Sequence, residues 1–474
     1  MRAYVLPLVL LFALSAQTAH AQIVEAPFPN SDCYAPAGNP EPGSQAWIER
    51  DTKNMICAGL RNRDEVASPA YGYQHHIEFP GIHLQDLIER ATDPTNPRGG
   101  LTTLVPGSKA ADPFRTVNAW TTLTGGKVTR VKFPALNGAT LRGYVFEPPP
   151  GIKEPKKGFP GVVITDGSVQ GYQQLYFWAA EDLASNGYVA MTYDVQGQGE
   201  GDALGDDCPG ECTGVPWQQD YNFYQGAEDS LNFFLSDDNP ARDSVNAKRI
   251  GLAGHSLGAG AVSQVGQCDA RVKAIVAWDN LRAPEACDGA TIPEEHQSGE
   301  TARVPALGIS NDYGFWMQPT NSPPDPLAKQ GGFTTLAEAG IDTMEVVLRG
   351  ATHLEYTYIP LVLPASRLGE RFASHYTVAW FDRYLKQKHK RKAFDRLTTT
   401  TFGGKADSTS IGAGDFSTDQ ALAEPTNPAA GNAPYKIEGM EVANALSFYY
   451  GSAYSLTDPK TDETAACADM AAGC

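Results

Sequence analysis

The chain has 474 residues, 42% of them hydrophobic, and carries 55 acidic against 37 basic side chains for a formal net charge of −18. That apolar fraction suits a folded globular chain, and the negative field disfavours nucleic acid and anionic membranes as partners. The length fits a large α/β domain with added segments rather than one small domain.

The first residues read as an export signal. Arg2 gives a positive start, Tyr4 to Ala16 is apolar, and Ala19-His20-Ala21 is a small-x-small cleavage site. The apolar run is shorter than the ~20 residues of a spanning helix. The expectation is therefore a signal over 1–21 and a secreted or periplasmic chain from Gln22, without a membrane span. All eight cysteines follow that point. An even number in an exported chain suggests disulfides. The sequence-local pairing is Cys33–Cys57, Cys208–Cys212, Cys268–Cys287 and Cys467–Cys474, with other pairings open. Cys208 and Cys212 lack a matching Cys/His pair nearby, so no metal site is expected.

Residues 22–126 are rich in Pro, Asn and Gly and read as an irregular leader packed on the core. From Lys127 the texture changes, and 127–392 reads as the main domain. Val128–Phe133 and Thr140–Phe146 alternate like strands around an Asn137-Gly138 turn. Apolar runs follow at Gly161–Thr165, Tyr188–Tyr193, Arg249–Ala253, Val272–Trp278, Ala306–Ser310 and Met344–Leu348. Helical segments near Leu175–Asn186, Gly226–Ser236 and Leu368–Lys386 lie among them. Such alternation predicts an α/β fold with a mostly parallel central sheet and helices on both faces. Residues 393–474 read as a linker and a C-terminal appendage, with a polar loop over Thr398–Asn432 and strand-like texture over Tyr435–Leu456.

The chemistry is carried by Gly254-His255-Ser256-Leu257-Gly258. It follows the run Ile250-Gly251-Leu252-Ala253 and precedes a helix-compatible stretch, the strand–turn–helix setting of a nucleophile elbow. The glycines permit a tight turn, and the helix N-terminus beneath Ser256 favours a developing oxyanion. A serine hydroxyl needs a base. His353, in the loop after Met344–Leu348, stands where that base is expected. His75, His76, His296 and His375 are worse placed. The acid is expected at Asp312, which ends the run before the His-bearing one, with Asp279 as the alternative one strand earlier. The oxyanion donors are expected to be the N–H groups of Leu257 and of Ser168 in Thr165-Asp166-Gly167-Ser168. The cluster Asp194-Val195-Gln196-Gly197-Gln198-Gly199-Glu200 lacks the third glycine of a dinucleotide loop and reads as the loop after the run Tyr188–Tyr193. Tyr172, Tyr176, Trp178, Tyr313 and Trp316 are equally readable as pocket lining or as core.

Through these residues, over Lys127 to Leu385, the chain resembles the α/β-hydrolase superfamily, within it the dienelactone-hydrolase and polyester-hydrolase (cutinase-like) branch of serine esterases. The matching stretches are Val162–Gly167, Ala184-Ser185-Asn186-Gly187-Tyr188, the elbow, Thr352-His353 and Trp380-Phe381-Asp382-Arg383-Tyr384-Leu385. A dienelactone hydrolase proper has a cysteine where Ser256 stands. The resemblance implies Ser–His–Asp acyl transfer to water from a small or polymeric carboxylic ester, with no cofactor. A peptidase or amidase with the same residues, and a non-catalytic binding module on this fold, are the alternatives. Substrate and oligomeric state stay open at this point.

Overall fold

The computed structural model describes residues 40–66, 117–168, 172–202, 220–287, 292–315, 317, 324–357, 367–386, 390–399, 436–437 and 440–474. The signal reading, the polar 398–432 loop beyond residue 399, Trp316, and the pairs Cys33–Cys57 and Cys208–Cys212 lie wholly or partly outside these residues.

A ten-stranded sheet organises the chain, in the order β1-β2-β4-β3-β5-β6-β7-β8-β11-β12. The strands are β1 (Lys127–Pro134), β2 (Thr140–Glu147), β3 (Phe159–Thr165), β4 (Val189–Asp194), β5 (Val245–His255), β6 (Val272–Trp278), β7 (Ala306–Asn311), β8 (Thr343–Leu348), β11 (Ala453–Thr457) and β12 (Thr464–Cys467). A separate small hairpin joins β9 (Lys436–Ile437) to β10 (Met440–Glu441). The ladders from β4 through β8 are parallel. Those joining β1 to β2, β2 to β4, β8 to β11 and β11 to β12 are antiparallel. The sheet is thus mixed, and the expected parallel order holds only in its centre. There β3, β4, β7 and β8 are buried at every position, which explains why they read as apolar runs instead of alternating strands.

Two hydrophobic clusters cover the two faces. Along β5, Ala253 belongs to one and Leu252 to the other; along β6, Val276 and Trp278 face one and Ile275 and Ala277 the other. This is the period-two alternation of a strand buried on both sides. On the first face lie helices α3 (Phe177–Ser185) and α6 (Arg367–Leu385), contributing Trp178, Phe372, Tyr376, Trp380 and Phe381. On the second lie α4 (Asp220–Leu235) and α5 (Leu257–Cys268), contributing Phe223, Leu231, Phe234 and Val262. Tyr172, Tyr176 and Trp178 are each only 1% exposed, so the core reading holds for all three.

The leader is not irregular throughout. Helix α1 (Gln45–Val66) lies in it, and α2 (Val117–Thr124) precedes β1. Over residues 45–56, the residues that α1 buries are Trp47, Arg50, Asp51 and Asn54, too polar to register as an amphipathic stripe. These residues are bonded instead of merely packed. Arg50 lies over the Phe448 ring at 3.9 Å, the Tyr449 hydroxyl donates to Asp51, and Asn54 donates to Asp312 at 3.1 Å. The C-terminal segment is equally integral, because β11 extends the sheet beyond β8. Disulfides join Cys268 to Cys287 and Cys467 to Cys474.

Candidate active site

Strand β5 ends at His255, Ser256 turns, and α5 begins at Leu257. Ser256 has φ 56° and ψ −119°, a left-handed conformation that a side chain adopts only when its surroundings impose it. The glycines on either side supply the constraint. A Cβ on Gly254 would stand 2.5 Å from the Gly258 carbonyl oxygen, and one on Gly258 would stand 2.2 Å from that of Asp166. Only with both absent can the turn close against the β3 loop. The Ser256 hydroxyl is thereby held at the C-terminal edge of the parallel strands, partly open to solvent.

His353 reaches Ser256 from β8, two strands beyond the neighbour of β5. Its Nε2 is 2.8 Å from Ser256 Oγ, and its Nδ1 is 2.6 Å from Asp279 Oδ2. Asp279 follows β6 directly and also has positive φ, 41°. Burial works against its charge. The hydrogen bond and charge of His353, helped by Lys329 and His255, outweigh burial and hold the carboxyl below its ordinary range. A hydroxyl, an imidazole and a carboxylate in this line can pass the hydroxyl proton to Nε2 while the carboxylate keeps Nδ1 protonated.

The structure therefore brings Ser256 and His353 together, and the carboxylate it places at the imidazole is that of Asp279, the alternative, while the expected Asp312 does not reach them. To stand over Ser256, the loop from β8 must pass across the end of β7, so the imidazole points its Nδ1 at β6. Asp312 and the two residues after it lie under that loop. Asp312 Oδ2 accepts from Gly350 N–H at 2.7 Å, Tyr313 N–H donates to Ala351 O at 3.0 Å, and His353 N–H donates to Gly314 O at 2.9 Å. With Asn54 also on Oδ2, Asp312 ties the loop to α1. Burial raises its carboxyl, and the bonds from Ser447, Gly350 and Asn54 offset part of that rise.

Of the expected oxyanion residues, Leu257 is the first residue of α5, where an N–H has no partner within the helix. Ser168 is partly exposed at the end of the β3 loop. Gly167 N–H is already engaged by the Tyr176 hydroxyl at 3.0 Å. A Cβ on Gly167 would stand 3.2 Å from Ser256 Cβ, so the loop lies against the serine. Phe315, 51% exposed, places its ring 4.6 Å from the His353 ring.

A second buried carboxyl stands near Asp279. Glu345 on β8 accepts from the Ser310 hydroxyl, and burial pushes its pKa up to about 8, with the Ser310 bond opposing and the Asp279 charge adding. The unfolded chain ionises Glu345 in the ordinary glutamate range and the folded one only near pH 8. Between these values the folded state binds more protons, so this group's contribution to stability falls as pH rises. Glu345→Gln is expected to raise the melting temperature more at pH 8 than at pH 5. Equal gains at both, read by thermal unfolding, would contradict a neutral Glu345.

Among the described residues, no group of three or more His, Cys, Asp or Glu is placed to hold a metal ion, and no helix is long and apolar enough to cross a membrane.

Comparison with known proteins points to hydrolases. The chain is 27% identical over 254 residues to a protein of a Fusarium species named hydrolase LUC6, covering 52% of this chain and 55% of that one. It is 30% identical over 152 residues to thiohydrolase apmlB of Arthrinium phaeospermum, covering 32% and 43%. The chain thus spans about half the length of the curated relatives it matches. No family model matches it.

Proposed function

We propose that the protein is an exported serine hydrolase of the α/β-hydrolase fold that cleaves carboxylic esters. The observation that carries this reading is the continuous line Ser256 Oγ–His353 Nε2 and His353 Nδ1–Asp279 Oδ2, at 2.8 and 2.6 Å. The strand order from β1 to β8, with the serine at a strained turn between β5 and α5, supports the fold assignment. Relatives named hydrolases support the reaction class, and the disulfides suit an oxidising compartment.

In this mechanism Ser256 Oγ attacks the ester carbonyl as its proton passes to His353 Nε2. The N–H groups of Leu257 and Ser168 receive the oxyanion, a contribution of ~3 kcal/mol for each such donor. The alcohol leaves with the proton from His353, and water repeats the sequence on the acyl-enzyme. Asp279, not Asp312, holds the imidazole tautomer. No step needs a cofactor. The relative named a thiohydrolase favours a second reading in which a thioester takes the ester's place. The test is a panel of p-nitrophenyl esters of graded acyl length, a matched thioester series, a soluble polyester and a peptide amide. Hydrolysis of the oxygen esters, with the amide untouched, is the expected result. Amide cleavage alone would move the protein to the peptidases.

A further inference from the structure

His255 occupies the variable position of the Gly-x-Ser-x-Gly turn and is buried, its side chain pointing away from solvent beneath the site. Its two ring nitrogens are both engaged. Nε2 lies 2.8 Å from the backbone carbonyl oxygen of His353, and Nδ1 lies 2.9 Å from the Tyr176 hydroxyl. A carbonyl oxygen only accepts, so Nε2 carries the proton. The Tyr176 oxygen accepts from Gly167 N–H at 3.0 Å, which leaves its own proton to point at Nδ1. One directed chain results: Gly167 N–H to Tyr176, Tyr176 O–H to His255 Nδ1, His255 Nε2–H to His353 C=O.

We propose that His255 is a positioning residue which, as the neutral Nε2–H tautomer, ties the oxyanion loop to the base loop through the residue that precedes the nucleophile. This rests on the serine-hydrolase reading for its effect on rate, but not for the tautomer itself. Its two ends lie on the two parts of the site that β5 does not itself hold. Gly167 adjoins Ser168, the proposed oxyanion donor, and the His353 carbonyl belongs to the proposed base. Ser256 sits between them on the backbone that carries His255. A shift of about 1 Å in either loop is enough to cost on the order of 100-fold in rate, so fixing both loops to one side chain keeps donor, nucleophile and base in register.

The surroundings favour the neutral ring. Burial pushes the His255 pKa down to about 3, the nearby His353 adds to this, and Asp279 and the His353 carbonyl oppose it. The groups facing the imidazole are the Tyr176 hydroxyl, the His353 ring at 4.7 Å and the Tyr356 ring at 5.8 Å between centroids, with Asp279 beyond His353. A protonated His255 would lose the acceptor that the Tyr176 proton needs.

Two isosteric changes separate the two ends. In His255→Gln the amide nitrogen takes the place of Nε2 and keeps the bond to the His353 carbonyl. In His255→Asn the amide oxygen takes the place of Nδ1 and keeps the bond from Tyr176. Tyr176→Phe removes the oxyanion-side link alone. With p-nitrophenyl ester as substrate, Tyr176→Phe and His255→Gln are expected to share one behaviour: kcat lower by roughly 10- to 100-fold, KM little changed, and the acid-limb midpoint of kcat/KM kept. His255→Asn is expected to move that midpoint, because the base loop is released. The second readout needs no activity. In protein carrying ¹⁵N-labelled histidine, with the signal assigned by its loss in His255→Gln, His255 is expected to show the Nε2–H tautomer and no titration from pH 8 to pH 5. A ring that titrates in that range, or the Nδ1–H tautomer, overturns the proposal whether or not the protein hydrolyses esters. So does wild-type kcat, within about twofold, in an active enzyme carrying any of the three changes. An inactive wild type with the Nε2–H tautomer leaves the link standing and removes the hydrolase reading.

Discussion

Asp279→Asn is expected to reduce ester turnover by about 10⁴, the loss that follows when the carboxylate orienting a catalytic imidazole becomes an amide. The amide cannot accept the Nδ1 proton with a full charge, and its NH₂ group favours the tautomer with the proton on Nε2, where no proton can be taken from Ser256. Asp312→Asn is expected to behave in the opposite way. Its carboxylate does not touch the imidazole. It accepts from Gly350 and Asn54 beneath the His353 loop, so the substitution disturbs a buried polar junction at a cost of ~1–3 kcal/mol. Turnover within about tenfold of wild type and a lower melting temperature are the expected pair of observations. Rates and thermal unfolding of the two variants side by side decide it. A dead Asp312→Asn enzyme beside an active Asp279→Asn enzyme would return the acid to the later strand.

Ser256→Ala is expected to abolish ester hydrolysis, with a loss on the order of 10⁴ or more, and to leave the fold intact. The bond at stake is the one from its hydroxyl to His353, at a partly exposed turn tip where losing an oxygen opens no buried cavity. The strained φ of the position is imposed by the backbone around Gly254 and Gly258 and persists in alanine. Melting within a few degrees of wild type, with no turnover, is the combination to be measured. Retained turnover in purified Ser256→Ala would exclude the serine from the chemistry.

These two predictions fall on either side of what can be read from sequence. Ser256 is legible because the demand on its neighbours is local: a Cβ at Gly254 or Gly258 would collide with backbone, and the need for glycine is written within five residues. His353 is legible from its place after the last buried parallel strand. The carboxylate is not. Asp279 and Asp312 both stand just past buried strands, and the choice between them depends on how the β8 loop crosses β7, which is set by Gly314, Ala351 and Gly350 making contacts across some forty residues of chain. The network behind the site is hidden for the same reason, since Tyr176 and His255 meet only after β3 and β5 pair. The central strands are legible as apolar runs, whereas α1 is not, because over residues 45–56 it buries Arg50, Asp51 and Asn54 beside Trp47, and the hydrogen-bond partners of Asp51 and Asn54 lie far away in Tyr449 and Asp312.

The most direct test of Ser256 as the nucleophile is covalent labelling of the wild-type protein with a fluorophosphonate, followed by peptide mass mapping. Stoichiometric modification at Ser256 is expected, abolished in Ser256→Ala and strongly slowed when His353 is replaced by alanine, with loss of ester turnover in step with labelling. Absence of labelling in protein that hydrolyses esters, or a label on a residue other than Ser256, would contradict it.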